Sequence, residues 1–457
     1  MGIFGALTTA VTGIQAQSFA LERIADNIAN SQTTGYKRSD TSFVDFVPDS
    51  PPQQQALGVV NAFSRPTNTI QGDLTNSDVS TFVAINGDGY FIVGEQTDTT
   101  DGLPVFSNED LYTRRGDFAV DQNGYLVNAS GYFLKGLTID PTTGNPSGLS
   151  PQVVQVSNDF LPASATTQID YRANLASYPL TAQADPTVPD SELLNPADYA
   201  NDPTAGNDEF VQANDAATFI SQSVAGGAIT GFDALGTAVN VQFRWAKTDT
   251  TLTGGTDTWN LFYLTDSNAT GVNPAWQNVG TNYVYGTNGQ LNPPIVSATI
   301  TALTINGTNL GNITLNHGGG GLTQFADSNG VAKVTDISQN GFAAGELIDI
   351  SISDEGRVVA RFTNGRPLDL AEVTLASFNG DGGLSKSDGG AFRSTPQSGP
   401  PIIGSLGRVV GSALEGSNTD IADEFTKLIV TQQAYAANTR IISTADEMVQ
   451  EALNMVR

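Results

Sequence analysis

Residues 421–456 read IADEFTKLIVTQQAYAANTRIISTADEMVQEALNMV. Within them Ile421, Leu428, Tyr435, Ile442, Val449 and Val456 recur every seven residues without a break. That spacing returns a side chain to one helix face every two turns. Phe425 and Leu453 extend the face, and a second column, Ile441, Ala445, Met448, Ala452 and Met455, widens it in the last turns. A helix with two apolar stripes needs more than one neighbour. At ~1.5 Å per residue it spans roughly 50–55 Å, too long for a small domain to cover. Ser417 or Asn418 is placed to cap its start, and Asp420, Asp423 and Glu424 suit the positive end of its dipole.

The other end of the chain carries a similar pattern. Ile3, Leu7, Ala10, Ile14, Gln17, Leu21, Ile24 and Ile28 follow a 4-3 spacing, with Gln17 as the polar exception. Gly2, Gly5 and Gly13 weaken this helix, so it orders against a partner. Gly35, in SQTTGYK, is its stop signal. The two columns predict that Ile3, Leu7, Ile14, Leu21, Ile24 and Ile28 meet Ile421, Leu428, Tyr435, Ile442 and Val449. With Phe425, Leu453 and Val456, these are the candidate self-assembly faces.

Between the ends the period changes from helical to alternating. Phe82–Ile85 runs into NGDG, Tyr90–Val93 follows, and DQNG at 121–124 and NASG at 128–131 separate further apolar runs. Short apolar runs around Asn-Gly turns are hairpin signals. Val239, Val241, Phe243 and Trp245 alternate as in a half-buried strand, with a second strand at Trp259–Leu264. Residues 183–216, rich in Asp, Asn, Pro and Ala, read as a long loop, and 345–380 as a meander rejoining the first sheet. The predicted fold is α+β, mainly β. Residues 1–30 with 417–457 form a coiled-coil-like terminal domain, and 31–72 an extended linker with a short strand or hairpin around Pro48, Pro51 and Pro52. Residues 73–152 with 340–416 form an inner β domain, and 153–339 an inserted outer β domain.

The 457 residues include 47 acidic and 20 basic side chains, a net charge of −27. Phosphate binding needs basic clusters, so nucleic acid is excluded as a partner and anionic membrane surfaces are disfavoured. No run approaches the ~20 apolar residues of a membrane span, so no membrane insertion is expected. Self-association must overcome like-charge repulsion and should respond to salt. The chain has no cysteine, which removes disulfides, thiolate catalysis and cysteine metal sites. The first basic residue is Arg23, so no positive region precedes the apolar start and no cleavable export signal is visible.

Candidate chemistry is sparse. The single histidine, His317 in LNHGGGG, reads as a loop or strand-end residue. DFAVDQNGYLV resembles an incomplete calcium loop but lacks the closing glutamate, and a hairpin turn explains it better. Asp354 and Glu355 in SDEG read as turn residues rather than a glycosidase pair. Arg114-Arg115 is the one paired basic site in the strand region, with salt bridges to nearby acids expected. Nothing gathers a nucleophile, a base and an oxyanion site. No catalytic, metal or cofactor residue is assigned, and the protein is read as a non-enzyme.

The two ends carry specific motifs. DNIANSQTTGYK at 26–37 and SNTDIADEFTKLIVTQQAYAANTRIISTADEM at 417–448 resemble the terminal signatures of flagellar rod, hook and hook-associated proteins. INGDGYFIV at 85–93, YTRRGDFAVDQNGYLVNASGYFLKG at 112–136, GLTQFA at 321–326, NGFAAGEL at 340–347 and SISDEGRVVARFTNGRPLDLAEVTLASF at 351–378 resemble the hook branch of that family. FNGDGGL at 378–384 departs from it, replacing a shorter Asn-Pro turn. The resemblance implies a subunit of the curved tube between rod and filament. It would be extracellular, in the hook and basal body, exported without a cleaved signal by the flagellar type III apparatus. Its partners would be many copies of itself and the rod, hook-cap, hook–filament junction and hook-length-control proteins.

Three readings follow. The first is a hook subunit that self-assembles into a flexible, torque-transmitting tube. The second is a distal rod subunit of the same family, forming a straight polymer. The third is a β-rich extracellular adhesin or hydrolase whose helical ends only dimerise.

Overall fold

The computed structural model describes the chain except residues 1–2, 47–58, 101, 141–142, 158–159, 205–208, 405–406 and 456–457. The expected break at Pro48, Pro51 and Pro52 and the last seam position, Val456, therefore lie outside the described residues. The protein is mainly β. Its helices are α1 (Ile3–Ala29), the short α2 (Ala216–Ser221) and α3 (Ile421–Met455). The chain divides into two compact units, Met1–Asn158 with Leu347–Arg457, and Asp159–Glu346.

In the first unit α1 and α3 pack along each other. β1 (Ser39–Phe46) and β2 (Val59–Pro66) form an antiparallel hairpin that packs on α1. The described part of 31–72 is thus a folded arm on the helix, where the sequence suggested an extended connector with a short hairpin. The strands that follow are β3 (Leu74–Asn76), β4 (Val83–Asn86), β5 (Tyr90–Thr100), β6 (Leu103–Thr113), β7 (Phe118–Val120), β8 (Leu126–Asn128) and β9 (Tyr132–Ile139). After the second unit the chain re-enters the same sheet: Ala371 pairs with Thr138, Val373 with Gly136 and Leu375 with Phe91. One core spans both halves, with Val83, Ile85, Phe91, Leu111, Phe118, Leu126, Leu134, Val358 and Val373 buried in it, and a second cluster joins Tyr90 and Tyr112 to Phe378 and Phe392. Asp121 Oδ1 accepts from the amides of Asn123 and Tyr125, which closes the β7–β8 turn. Ser353–Arg357 forms the turn that holds Asp354 and Glu355, with Gly356 at φ +79°.

The second unit is built on two five-stranded sheets sharing a core. Trp245 and Trp259 are fully buried there, and Trp245 pairs across strands with Leu261. Val241, Phe243 and Trp245 point inward as their alternation requires. His317 follows the strand Thr308–Asn316 directly and is fully buried. Its Nδ1 lies 3.0 Å from Tyr171 O, and its Nε2 3.0 Å from the Tyr283 hydroxyl. A neutral ring satisfies both contacts when Nδ1–H donates to the carbonyl and Nε2 accepts from the hydroxyl. Burial lowers its pKa below the usual value near 6.5.

Candidate assembly site

The two terminal signatures converge on one region of the first unit. Residues Ala413–Glu415 pair with β3, and Arg408–Gly411 with β4, so the C-terminal segment returns to the start of the sheet. Strand alternation buries Ala413 and Glu415 on the same side. The Glu415 carboxylate is fully buried. It accepts from Lys37 Nζ at 2.5 Å, Arg114 Nη1 at 3.2 Å and the Gly72 amide at 2.9 Å. Lys37 Nζ also donates to Ile70 O at 2.6 Å, and Arg114 Nη2 to Gly87 O at 2.8 Å. Burial pulls the Lys37 pKa below its ordinary value, and the Glu415 charge opposes that shift. Arg115 instead clamps Asp117, with Nε 2.8 Å from Oδ1 and Nη2 2.9 Å from Oδ2. Both arginines of the pair are therefore engaged with acids.

A second junction ties the helices to the arm. Asn27 and Ser39 exchange two hydrogen bonds: Asn27 Nδ2 donates to Ser39 O at 3.1 Å, and the Ser39 amide to Asn27 Oδ1 at 3.0 Å. Asn27 Nδ2 also donates to Glu424 Oε2 at 3.0 Å. Glu424 is buried, and Lys427 Nζ reaches its other oxygen at 2.7 Å. Asn418 accepts from the Arg38 amide at 2.8 Å and donates to the carbonyls of Thr67 and Ile70. It is therefore unavailable as the cap of α3. Asp420 takes that role, its Oδ1 accepting from the amides of Ala422 at 2.8 Å and Asp423 at 3.2 Å. Ser417 Oγ bonds the Thr419 amide instead. Asn27 with Glu424, and the Asn418 amide with Tyr36 O, thus join the two motif stretches 26–37 and 417–427 directly, and Ser39, Arg38, Thr67 and Ile70 complete the junction.

The helix seam differs from the column of large residues read in the sequence. On α1 the buried positions are Ala10, Ala16, Ala20, Ile24 and Asn27. On α3 they are Glu424, Thr431 and Ala445. Small side chains let the backbones approach closely, and a β-carbon on Gly13 would lie 2.9 Å from Asn438 Nδ2. Leu7, Ile14, Leu21 and Ile28 flank this line half-buried, as do Leu428, Ile442 and Val449. Ile421, Phe425, Tyr435 and Leu453 are exposed, Leu453 at 66%. Ile3 begins α1. Ile429, Val430, Ile441, Met448 and Met455 add further exposed apolar area on α3. Such a run of large apolar side chains along one helix marks an interaction surface.

Three family profiles match the chain. Flagella basal body rod protein matches residues 7–37, Flagellar hook protein FlgE/F/G D1 domain residues 84–159, and Flagellar basal body rod FlgEFG protein C-terminal residues 410–455. The flagellar hook protein FlgE of Brucella suis biovar 1 is 30% identical over 464 residues, covering 100% of both chains. The chain belongs to the flagellar hook protein family. The FlgE hook protein of Escherichia coli K12 is 27% identical over 98% of this chain and 100% of its own. That of Caulobacter vibrioides is 28% identical over the whole of both chains. A solved hook protein, Helicobacter pylori FlgE2, aligns over 75% of this chain and 100% of its own, at 17% identity and a TM-score of 0.47. The terminal profiles cover Asn27, Lys37, Glu415 and Glu424 of the two junctions. As a member of the hook-protein family, this chain is a structural subunit of the flagellar hook.

Proposed function

We propose that α1 and α3 of many copies bundle into the core of the hook tube, with the β units outside it. One observation carries this reading. In the single subunit α3 buries a narrow line of small and polar residues against α1 and leaves Ile421, Phe425, Ile429, Tyr435, Ile441, Met448 and Leu453 exposed. At ~25 cal/mol per Å², covering these side chains is the main force available to hold copies together. The predicted faces then divide in two. Ile24 lies within the contact inside a subunit, Leu7, Ile14, Leu21, Ile28, Leu428, Ile442 and Val449 border it, and Ile421, Phe425, Tyr435 and Leu453 meet neighbours. In this reading the helical terminal domain has a coiled-coil-like geometry, and the repeating contact is head-to-tail. A heterologous contact that does not close on itself grows into a helical filament.

The β units stack through weaker polar contacts that slide as the tube bends, while the helical core carries torque. The arm of β1 and β2 adjusts the angle between core and sleeve. The rod, cap, hook–filament junction and length-control proteins are the proposed partners at the ends and during growth. Export through the flagellar type III apparatus without a cleaved signal completes the reading. A chain without cysteine has no disulfide to hold it folded during passage.

Deleting residues 1–30 tests the core. The truncated protein should stay monomeric under conditions where the full chain forms tubes by negative-stain microscopy. Tubes formed by the truncated protein would overturn the reading.

A further inference from the structure

A groove of about 350 Å³ opens beside the helix pair in the first unit. It is lined by Ala20, Arg23 and Ile24 of α1, Glu424 and Lys427 of α3, and Asp40, Phe43 and Arg65 of the β1–β2 arm. Phe43 is 47% exposed, although it is paired in register with Ala62 of β2. Arg65 lies directly across the hairpin from Asp40, but Asp40 is taken by Lys427 at 3.3 Å and Arg38 at 3.8 Å. Arg65 makes no ion pair among the described residues, in a chain with 47 acids and 20 bases. The groove holds an apolar patch of Ala20, Ile24 and Phe43 within a polar and charged lining, and Arg65 is a cation there without a counter-charge.

The complementary surface is on the same chain. The first turns of α3 expose Ile421 at 40% and Phe425 at 50%, with exposed Asp423 between them. Asp423 makes no ion pair among the described residues, and its amide donates to the capping Asp420. Phe425 is one residue from Glu424, so it is turned roughly 100° around the helix from the groove wall. A subunit therefore cannot place this turn in its own groove, but a neighbour can.

We propose that the groove between α1 and the β1–β2 arm receives the Ile421–Phe425 turn of a second copy. Phe425 enters against Phe43, Ala20 and Ile24, and Asp423 pairs with Arg65. This rests on the tube reading above and names one of its contacts. Glu424 lines the groove and neighbours the inserted residues, so donor and acceptor lie at the same level of the subunit. The contact is therefore lateral, between copies side by side around the tube. It joins unlike surfaces, so each added copy presents a new empty groove.

The absence of native cysteine permits a direct test. Phe43→Cys and Phe425→Cys in one chain, assembled and then treated with a mild oxidant, should give a ladder of covalent multimers on denaturing gels. Each single variant should give dimers at most. In parallel, Arg65→Glu and Asp423→Lys should each raise the critical concentration for assembly about tenfold at low salt, through like-charge contacts. The combined charge swap should restore it. Circular dichroism matching the native chain verifies that each variant folds. Native tubes with no ladder and unchanged assembly by Arg65→Glu would overturn the docking while leaving the tube reading intact. Failure of the native chain to form tubes would overturn both.

Discussion

Gly13 of α1 lies so close to Asn438 of α3 that an added β-carbon would sit 2.9 Å from Nδ2 and 3.2 Å from Cγ. The atoms met are those of a side chain that can turn aside, and alanine favours a helix over glycine by about 1 kcal/mol. Gly13→Ala should therefore be close to neutral or slightly stabilising in thermal melts. Gly13→Leu has no such escape, because the branched side chain must separate the two backbones. It should destabilise the helix pair by about 1–3 kcal/mol and abolish tube formation while leaving the β units folded. Tubes from Gly13→Leu at native yield would contradict the close-packed seam.

Glu415 is one buried carboxylate facing two buried cations, Lys37 and Arg114. Glu415→Gln leaves both cations without a counter-charge and should cost about 3–5 kcal/mol. Lys37→Met removes the donor to Glu415 Oε1 and to Ile70 O but leaves Arg114 and the Gly72 amide on the carboxylate, so no buried charge is left without a partner and its cost should be clearly smaller. Urea unfolding of the first unit would rank the two. Equal costs would mean that the charges do not act as a set.

His317 makes the second unit sensitive to acid. Its folded pKa is lowered by burial, so the unfolded chain takes up a proton below pH 6.5 while the folded chain resists it. More protons bound in the unfolded state means that stability falls as pH falls. The loss begins near pH 6.5 and runs at up to about 1.4 kcal/mol per pH unit until the folded-state value is reached. Protonation would also turn Nε2 from acceptor to donor towards the Tyr283 hydroxyl. Melting curves of the second unit between pH 7.5 and 5 should show the slope, and His317→Gln should remove it. An NMR titration of the ring with a pKa at or above 6.5 would refute the burial argument.

The helical ends, the strand periodicity and the return of the chain to its first sheet were legible because each leaves a local pattern. The centre of the α1–α3 seam was not. The column held Ala10 and Ile24, which are buried, but heptad reading favours large apolar residues, whereas Ala16 and Ala20 lie outside the column and are buried while Leu7, Ile14 and Leu21 flank the seam. The role of Asn418 was hidden for a different reason. Asparagine before an acidic first turn is a good cap by local rules, but its partners at Arg38, Thr67 and Ile70 are more than 340 residues away. His317 reads from the sequence as a loop or strand-end residue, but four following glycines say nothing about a tyrosine pocket assembled from residues 171 and 283.

Gly35 tests whether the terminal junction tolerates any side chain. It has φ +67°, and a β-carbon there would lie 2.8 Å from both Arg114 C and Arg115 N. Those are backbone atoms of the strand region that also holds Arg114 against Glu415, so they cannot move without loosening the buried charges. Gly102 is a control within the same chain, with φ +79° and nothing within 4 Å of the added carbon. Gly102→Ala should report only the cost of the left-handed backbone, about 1–2 kcal/mol. Gly35→Ala carries the same backbone cost plus the collision, and it also displaces the amide that donates to Glu415 O at 2.8 Å. It should therefore be the more destabilising by at least about 2 kcal/mol, and assembly should fail with it. Equal melting temperatures for the two variants would show that residues 35–38 can shift away from the sheet, and that the junction is looser than its hydrogen bonds imply.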